Sequence, residues 1–166
     1  MLNPIHVVRP AVPKDVPALI RLMRALAEYE DYLSDFNVDE QALLSRAFGP
    51  SAQCRIFVAD WHSELAGYAV VLEIPFTYDL RPTFLLKELY IAEHCRSAGL
   101  GQALLQQVAI WGLAKGAGRL KWDVLVGNQR AEAFYQRLGG RPDRKWTAYQ
   151  MGSLEIKQLA LGGGPI

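Results

Sequence analysis

The stretch LLKELYIAEHCRSAGLGQALLQQVAIWGLA, residues 85–114, decides the fold. With Thr83 and Phe84 before it, its first part is richer in apolar side chains than a half-exposed strand would be, which places TFLLKELYIA, 83–92, at the centre of a sheet. Its last part sets Leu104, Leu105, Val108, Ala109 and Leu113 on one side of a helix ended by Gly116 and Gly118. Between the two, Arg96-Ser97-Ala98-Gly99-Leu100-Gly101 joins strand to helix. Such a junction turns successive backbone N–H groups and the positive helix end toward one point, where a phosphate or pyrophosphate is held. Glycine at 99 and 101 lets a ligand and the neighbouring strand approach the backbone closely. The spacing is neither GxGxxG nor GxxxxGK[ST], so neither a dinucleotide fingerprint nor a Walker loop is present.

Working outward, IHVVRP at 5–10 predicts an edge strand, and Val16, Leu19, Ile20, Met23, Leu26 and Ala27 predict a helix opened by Pro13 and Asp15 and running to about Tyr29. AEYEDYLSDFN, 27–37, has no clean period and reads as a loop or helix end. Asn37 with Glu40 forms a capping-box pattern before a second helix containing Leu43, Leu44 and Phe48, stopped by Gly49-Pro50. CRIFVAD, 54–60, and LAGYAVVLEI, 65–74, read as neighbouring strands. Beyond the glycine loop and its helix, RLKWDVLV at 119–126 predicts a strand, GNQRAEAFYQRLGG at 127–140 a short capped helix, and WTAYQM at 146–151 a closing strand. This is an α/β order, which either a small doubly wound domain or a mixed sheet satisfies. No Pro/Gly/Ser-rich linker interrupts it, so residues 1–166 are expected to form a single domain with a mobile tail at 161–166.

Composition narrows the function classes. Of 166 residues 51% are hydrophobic and 10% aromatic, which excludes a disordered chain. The 18 Lys and Arg against 17 Asp and Glu, a net charge of +1, supply no bulk field for a polyanion, so nucleic acid is not expected as the principal partner. No apolar run approaches the roughly 20 residues that cross a bilayer, and no secretory signal pattern opens the chain; a cytoplasmic protein without membrane contact is the expectation. Cys54 and Cys95 lie far apart, and His6, His62 and His94 have no ligand spacing, so neither a disulfide framework nor a metal site is expected.

RSAGLG resembles the R/Q-x-x-G-x-G/A pyrophosphate loop of the Gcn5-related N-acetyltransferases, and LLKELYIA before it and GNQRAEAFYQRLGG after it resemble further landmarks of that superfamily. RPAVPKDVPALIRLMRALAEYED at 9–31, PFTYD at 75–79 and KWTAYQM at 145–151 are similar to the diamine N-acetyltransferase branch, which includes spermidine/spermine and thialysine acetyltransferases. The resemblance covers about residues 5–160. It implies an acyl-CoA N-acyltransferase fold: a mixed central sheet flanked by helices, splayed like a V at an acetyl-CoA site. Backbone groups of Leu89, Tyr90 and Ile91 would pair with the pantetheine amides, and Arg96, Ser97, Ala98, Gly99, Leu100 and Gly101 would take the pyrophosphate. Asn128 and Tyr135 correspond to residues beside the cofactor arm and the thioester sulfur. A homodimer is also implied.

The chemistry gives some of these residues roles. Aminolysis of a thioester expels a thiolate, and the Tyr135 phenol within reach of that sulfur can protonate it; the same tyrosine also reads as a helix aromatic packed on a sheet. The nucleophile must be a neutral amine, whose ammonium has a reference pKa of roughly 10, so a base is required. Glu88 is the leading carboxylate, directly or through a water. Strict strand alternation puts it with Leu86 and Tyr90 on one face and Lys87 with Leu85 and Leu89 on the other. Lys87 departs from the branch, which carries an acid beside the glutamate; a lysine there repels a cationic amine or attracts a substrate carboxylate. Glu28, Glu30, Asp31, Tyr32, Tyr78 and Asp79 are an acidic and aromatic set able to receive an ammonium-bearing chain, and read equally well as solvated loop residues. The expected activity is acetyl transfer from acetyl-CoA to a primary amine of a small molecule, a polyamine or lysine-like amine, by direct attack in a ternary complex. The alternatives are a protein or peptide acceptor, and a non-catalytic acyl-CoA sensor or interaction module.

Overall fold

A hydrophobic strand can bury both faces only if a helix layer covers each of them. The computed structural model, which describes residues 6–163, has that arrangement. Strands β1 (His6–Pro10), β2 (Arg55–Trp61), β3 (Glu64–Ile74) and β4 (Thr83–Ile91) form an antiparallel meander, and β5 (Arg119–Lys121) adds to β4 in parallel. The sheet is therefore mixed, in the order β1-β2-β3-β4-β5. Position 5 of the expected first strand lies outside the described residues.

Helix α1 (Val16–Tyr29) follows a single 3-10 turn at Pro13–Asp15 and buries Val16, Leu19, Met23 and Leu26 against Ile56, Val58, Tyr68 and Val70 of the sheet. Its start is pinned electrostatically. Arg9 on β1 reaches Asp15 at 2.7 Å and Asp60 on β2 at 2.8 Å, and the Val12 N–H donates to Asp15 at 2.8 Å. Helix α2 (Glu40–Ala47) adds Leu43 and Ala47 to the same core. It is capped by Asp39, whose carboxylate accepts from Ala42 N–H at 2.7 Å. Asn37 instead donates its side-chain amide to the Asp35 carbonyl, because the helix begins one residue after Asp39 and only that position reaches the third helical N–H.

The opposite face of the sheet is covered by α3 (Leu100–Ala114), which buries Leu100, Leu104, Leu105 and Val108. Trp111 stacks on Phe84 with ring centroids 4.6 Å apart and planes 3° from parallel. Gly112 permits this contact: a Cβ there would lie 2.9 Å from the Phe84 ring.

Two expected strands differ. β5 is three residues long, not 119–126, because its ladder ends where Lys121 meets Leu85 and the chain then runs on outside the ladder. Residues 146–151 are not a strand; alternation there satisfies side-chain patterning, but a strand also requires a partner's backbone groups. The chain divides between Asn128 and Gln129 into two compact units. The second holds α4 (Gln129–Arg137) and α5 (Ser153–Ala160), a helix the sequence pattern did not indicate. Of the expected tail, 161–163 form a turn after α5, and 164–166 lie outside the described residues. Among the described residues no helix is long and apolar enough to cross a membrane.

Candidate active site

β4 pairs with β3 over its whole length but with β5 only from Thr83 to Leu85, so the sheet opens at the second half of β4. The Ala92 N–H donates to the Ala66 carbonyl at 2.8 Å. Strand alternation then turns the backbone of Tyr90 toward β3 and that of Leu89 and Ile91 toward the open edge. An extended chain bearing amides fits such an edge as an added strand. Gly67, facing Ile91 across the ladder, is required by the close approach: a Cβ would sit 2.8 Å from the Tyr90 carbonyl oxygen.

The edge leads directly into the glycine loop. Gly99, at φ +82°, is the residue before α3, and Ser97 is also left-handed at φ +68°. A Cβ on Gly99 would meet nothing within 4 Å, so backbone conformation and an open approach, not crowding, require glycine here. Arg96, the first residue of the loop expected to take the pyrophosphate, has its side chain engaged locally. Its Nε donates to the Ile91 carbonyl at 3.1 Å, and its guanidinium lies over the rings of Tyr29, 5.5 Å, and Tyr90, 5.7 Å. It ties the loop to the end of β4 and the end of α1.

On the α1 face of the same strand sits Glu88. The ladder pairs Val70 with Glu88 but Val71 with Leu86, leaving Lys87 as the extra residue of a β-bulge. This corrects the simple alternation: Leu86 lies with Phe84 on the α3 face, Glu88 and Tyr90 lie on the α1 face, and Lys87 is exposed at the bulge. Glu88 accepts a 2.8 Å hydrogen bond from the hydroxyl of Tyr68, which is wholly buried on β3. Burial pushes the Glu88 carboxyl above the ordinary glutamate value, against the opposing pull of the Tyr68 hydrogen bond and of Lys87, while Glu30 adds to the rise. Tyr32 feels the same acids; burial, Glu88 and Glu30 push its phenol up to about 12. Burial and then Glu88 raise the Cys54 thiol as well. Glu88, Glu30, Tyr32, Tyr68 and Cys54 thus share one electrostatic neighbourhood beside the open edge.

Tyr68 and Cys54 had no part in the site as read from sequence, whereas Tyr32 was one member of the acidic and aromatic set. The available signal was Tyr68 itself, a phenol between Ala66 and Val70 on the inward register of a strand, where a hydroxyl needs a partner. Glu28 and Asp31 are exposed near the end of α1, Asp31 with φ +65°. Tyr78 and Asp79 are elsewhere, in the β3–β4 loop at the far end of β4, five residues or about 16 Å of strand from Glu88. Asp79 bonds Thr77 at 2.9 Å and Arg119 at 2.7 Å, and Tyr78 lies over the Arg119 guanidinium at 4.6 Å. These bonds, overriding desolvation, hold the Asp79 carboxyl well below the usual range. Cys95 is buried, which pushes its thiol up and disfavours a thiolate. At the end of the first unit the Asn128 N–H donates to the Leu125 carbonyl at 3.0 Å. In the second unit, Tyr135 stands on α4 with its ring edge-on to Phe134, and its carbonyl accepts from Gly140 N–H at 2.9 Å through a turn at Gly139, φ +93°.

Comparison with known proteins bears on this geometry. The model of the acetyltransferase (GNAT) family matches residues 23–140. A thialysine N-epsilon-acetyltransferase of Sus scrofa is 27% identical over 164 residues, spanning 92% of this chain and 96% of that protein. Among solved structures, an integron cassette protein from the mobile metagenome of V. cholerae superposes with TM-score 0.79 at 20% identity, covering 95% of this chain and 99% of that one. An aminoglycoside acetyltransferase from an uncultured soil metagenomic sample, in complex with sisomicin, superposes with TM-score 0.75 at 15% identity, covering 89% and 96%.

Proposed function

Because the chain belongs to the acetyltransferase (GNAT) family, we propose that it acetylates a primary amine of a small molecule, a polyamine or lysine-like amine. It is an acetyl-CoA-dependent N-acetyltransferase. The co-substrate supplies the activated acetyl group. Leu89 and Ile91 would receive its pantetheine amides at the open edge of β4, where their backbone groups face outward, and the loop from Arg96 to Gly101 its pyrophosphate. Asn128 is assigned to the cofactor arm on the resemblance.

The observation that carries the reading is the Glu88 carboxyl, part-buried, held by Tyr68 and set beside the acids and phenols that follow α1. Glu88 takes the proton of the acceptor ammonium, directly or through a water. Burial that raises its proton affinity narrows the gap to the amine and makes the transfer less uphill. Glu30 adds negative charge that draws a cationic chain in. Tyr135, assigned on its place in AFYQRLG, gives a proton to the departing sulfur.

The test is an amine panel assayed for CoA release, with diamines, spermidine, thialysine, aminoglycosides and peptides as acceptors, repeated with Glu88→Gln. Turnover of a small amine and its loss by roughly 10² to 10⁴ in the variant are the expected results. Turnover of peptides alone would replace the acceptor class, and full turnover by Glu88→Gln would remove the base.

A further inference from the structure

We propose that Tyr68 is a positioning residue for the transfer: its phenol fixes the Glu88 side chain so that one carboxylate oxygen is left to face the acceptor. This rests on the reading of Glu88 as base. Tyr68 is opposite Tyr90 in the β3–β4 ladder and diagonal to Glu88, on the face packed by α1. Among the described residues it is the largest wholly buried side chain, with 0% exposure, and its hydroxyl donates to Oε2 of Glu88 at 2.8 Å. Tyr68 belongs to the buried core cluster that joins α1 to the sheet, and full burial restricts the ring, so the hydroxyl is a fixed point.

A glutamate has three side-chain torsions, and at a β-bulge the strand by itself aims it poorly. One donor on Oε2 removes most of that freedom and leaves the lone pairs of Oε1 for a proton. The bond also favours the charged form, against the burial that disfavours it. The donor cannot exchange roles with the carboxylate. Burial and then Glu88 raise the Tyr68 phenol far above its ordinary value, so the hydroxyl keeps its proton throughout the working range. Among the described residues, the other titratable or charged groups that face Glu88 are Lys87 at the bulge, Tyr90 on the same strand, Glu30 and Tyr32 after α1, and Cys54 before β2. None of these hydrogen-bonds the Glu88 carboxylate, so Tyr68 is the group whose removal should change its aim.

The test is Tyr68→Phe, which deletes the hydroxyl and keeps the ring. Thialysine is the acceptor and CoA release the signal. The expected result is a kcat lower by roughly 5- to 30-fold, an acidic limb of the kcat/KM profile moved up by about one pH unit, and an unchanged KM for acetyl-CoA. In a Glu88→Gln background the same change should cost nothing more. Carbon-13 titration of the Glu88 carboxyl reads the bond without turnover, and its midpoint should rise in Tyr68→Phe. In the wild-type protein the Tyr68 Cζ resonance should move with the Glu88 titration and lie flat in Glu88→Gln, a readout that does not depend on the phenylalanine variant folding. An unmoved Glu88 midpoint, or a Tyr68 resonance indifferent to Glu88, overturns the proposal. A moved midpoint with full activity in Glu88→Gln overturns the base and leaves only a structural bond, which ends the proposal by a separate route.

Discussion

A carboxyl that must take a proton from an ammonium works best when its own proton affinity lies above that of a solvated acid, and burial raises that of Glu88, the proposed base. The shift has a sign that can be checked. Its folded pKa is raised, so, on the proposed reading of Glu88 as base, the base is lost to protonation at a higher pH than an ordinary glutamate near 4.3 would be, and the acidic limb of kcat/KM should stand above that value. A limb at or below it would count against Glu88. Lys87 sits one residue away at the bulge, exposed, with its charge still felt by Glu88. Lys87→Glu is expected to raise kcat/KM for spermidine over thialysine by about 1.5- to 5-fold, the range of an exposed charge pair, and the gain should shrink as salt rises. An unchanged ratio removes Lys87 from the selecting residues. At this scale the sequence singled out Glu88 as the leading carboxylate by its place on a strand, with Lys87 and Glu30 among its companions, yet the hydrogen-bond donor that holds it was hidden. Tyr68 lies twenty positions away, and only the β3–β4 register joins them.

The elements were legible wherever the pattern was long enough to speak for itself: α1 and α3 follow the 3.6-residue spacing of their apolar residues, and β2, β3 and β4 follow apolar, β-branched runs. What eluded the pattern depended on partners. The bulge at Lys87 inverts the face assignment of the first half of β4, β5 stops where its ladder stops, and α5 begins after a run whose alternation suggested a strand. The start of α1 shows the same dependence on distant residues. Asp15 is buried beneath Arg9, which also holds Asp60, and the Arg9 bond keeps the Asp15 carboxyl below the usual aspartate value. Because the folded pKa is the lower one, this contribution is fully present above the unfolded value near 3.9 and is lost as pH falls through the folded value. Asp15→Asn, which keeps the shape and removes the charge, should lower stability by about 1.5–3 kcal/mol at neutral pH, with the gap from wild type closing in acid. Denaturant unfolding of both proteins at neutral pH and near pH 3 measures it. A gap equal at the two pH values would assign the loss to packing instead.

Across the whole molecule, charges of both signs nearly cancel, with a net charge of +1, so acetyl-CoA must be held by local geometry and not by a general positive field. In the proposed site that geometry is the conjunction of an open β4 edge with a left-handed turn at Gly99 before α3. A ligand that binds only the folded chain adds RT ln(1 + [L]/Kd) to its stability, about 2.7 kcal/mol at 100 times Kd, so acetyl-CoA should raise the midpoint of thermal unfolding in a concentration-dependent way. Gly99→Trp separates the two possible costs of changing the loop. Open space surrounds the missing Cβ, so the ligand-free protein should lose only the roughly 1–2 kcal/mol of a side chain forced into the left-handed region. The indole, projecting into the approach to the helix end, should abolish most of the acetyl-CoA upshift. Thermal scans of wild type and variant across an acetyl-CoA series decide the matter: an upshift of equal size in both proteins would mean that the pyrophosphate is bound somewhere other than this loop.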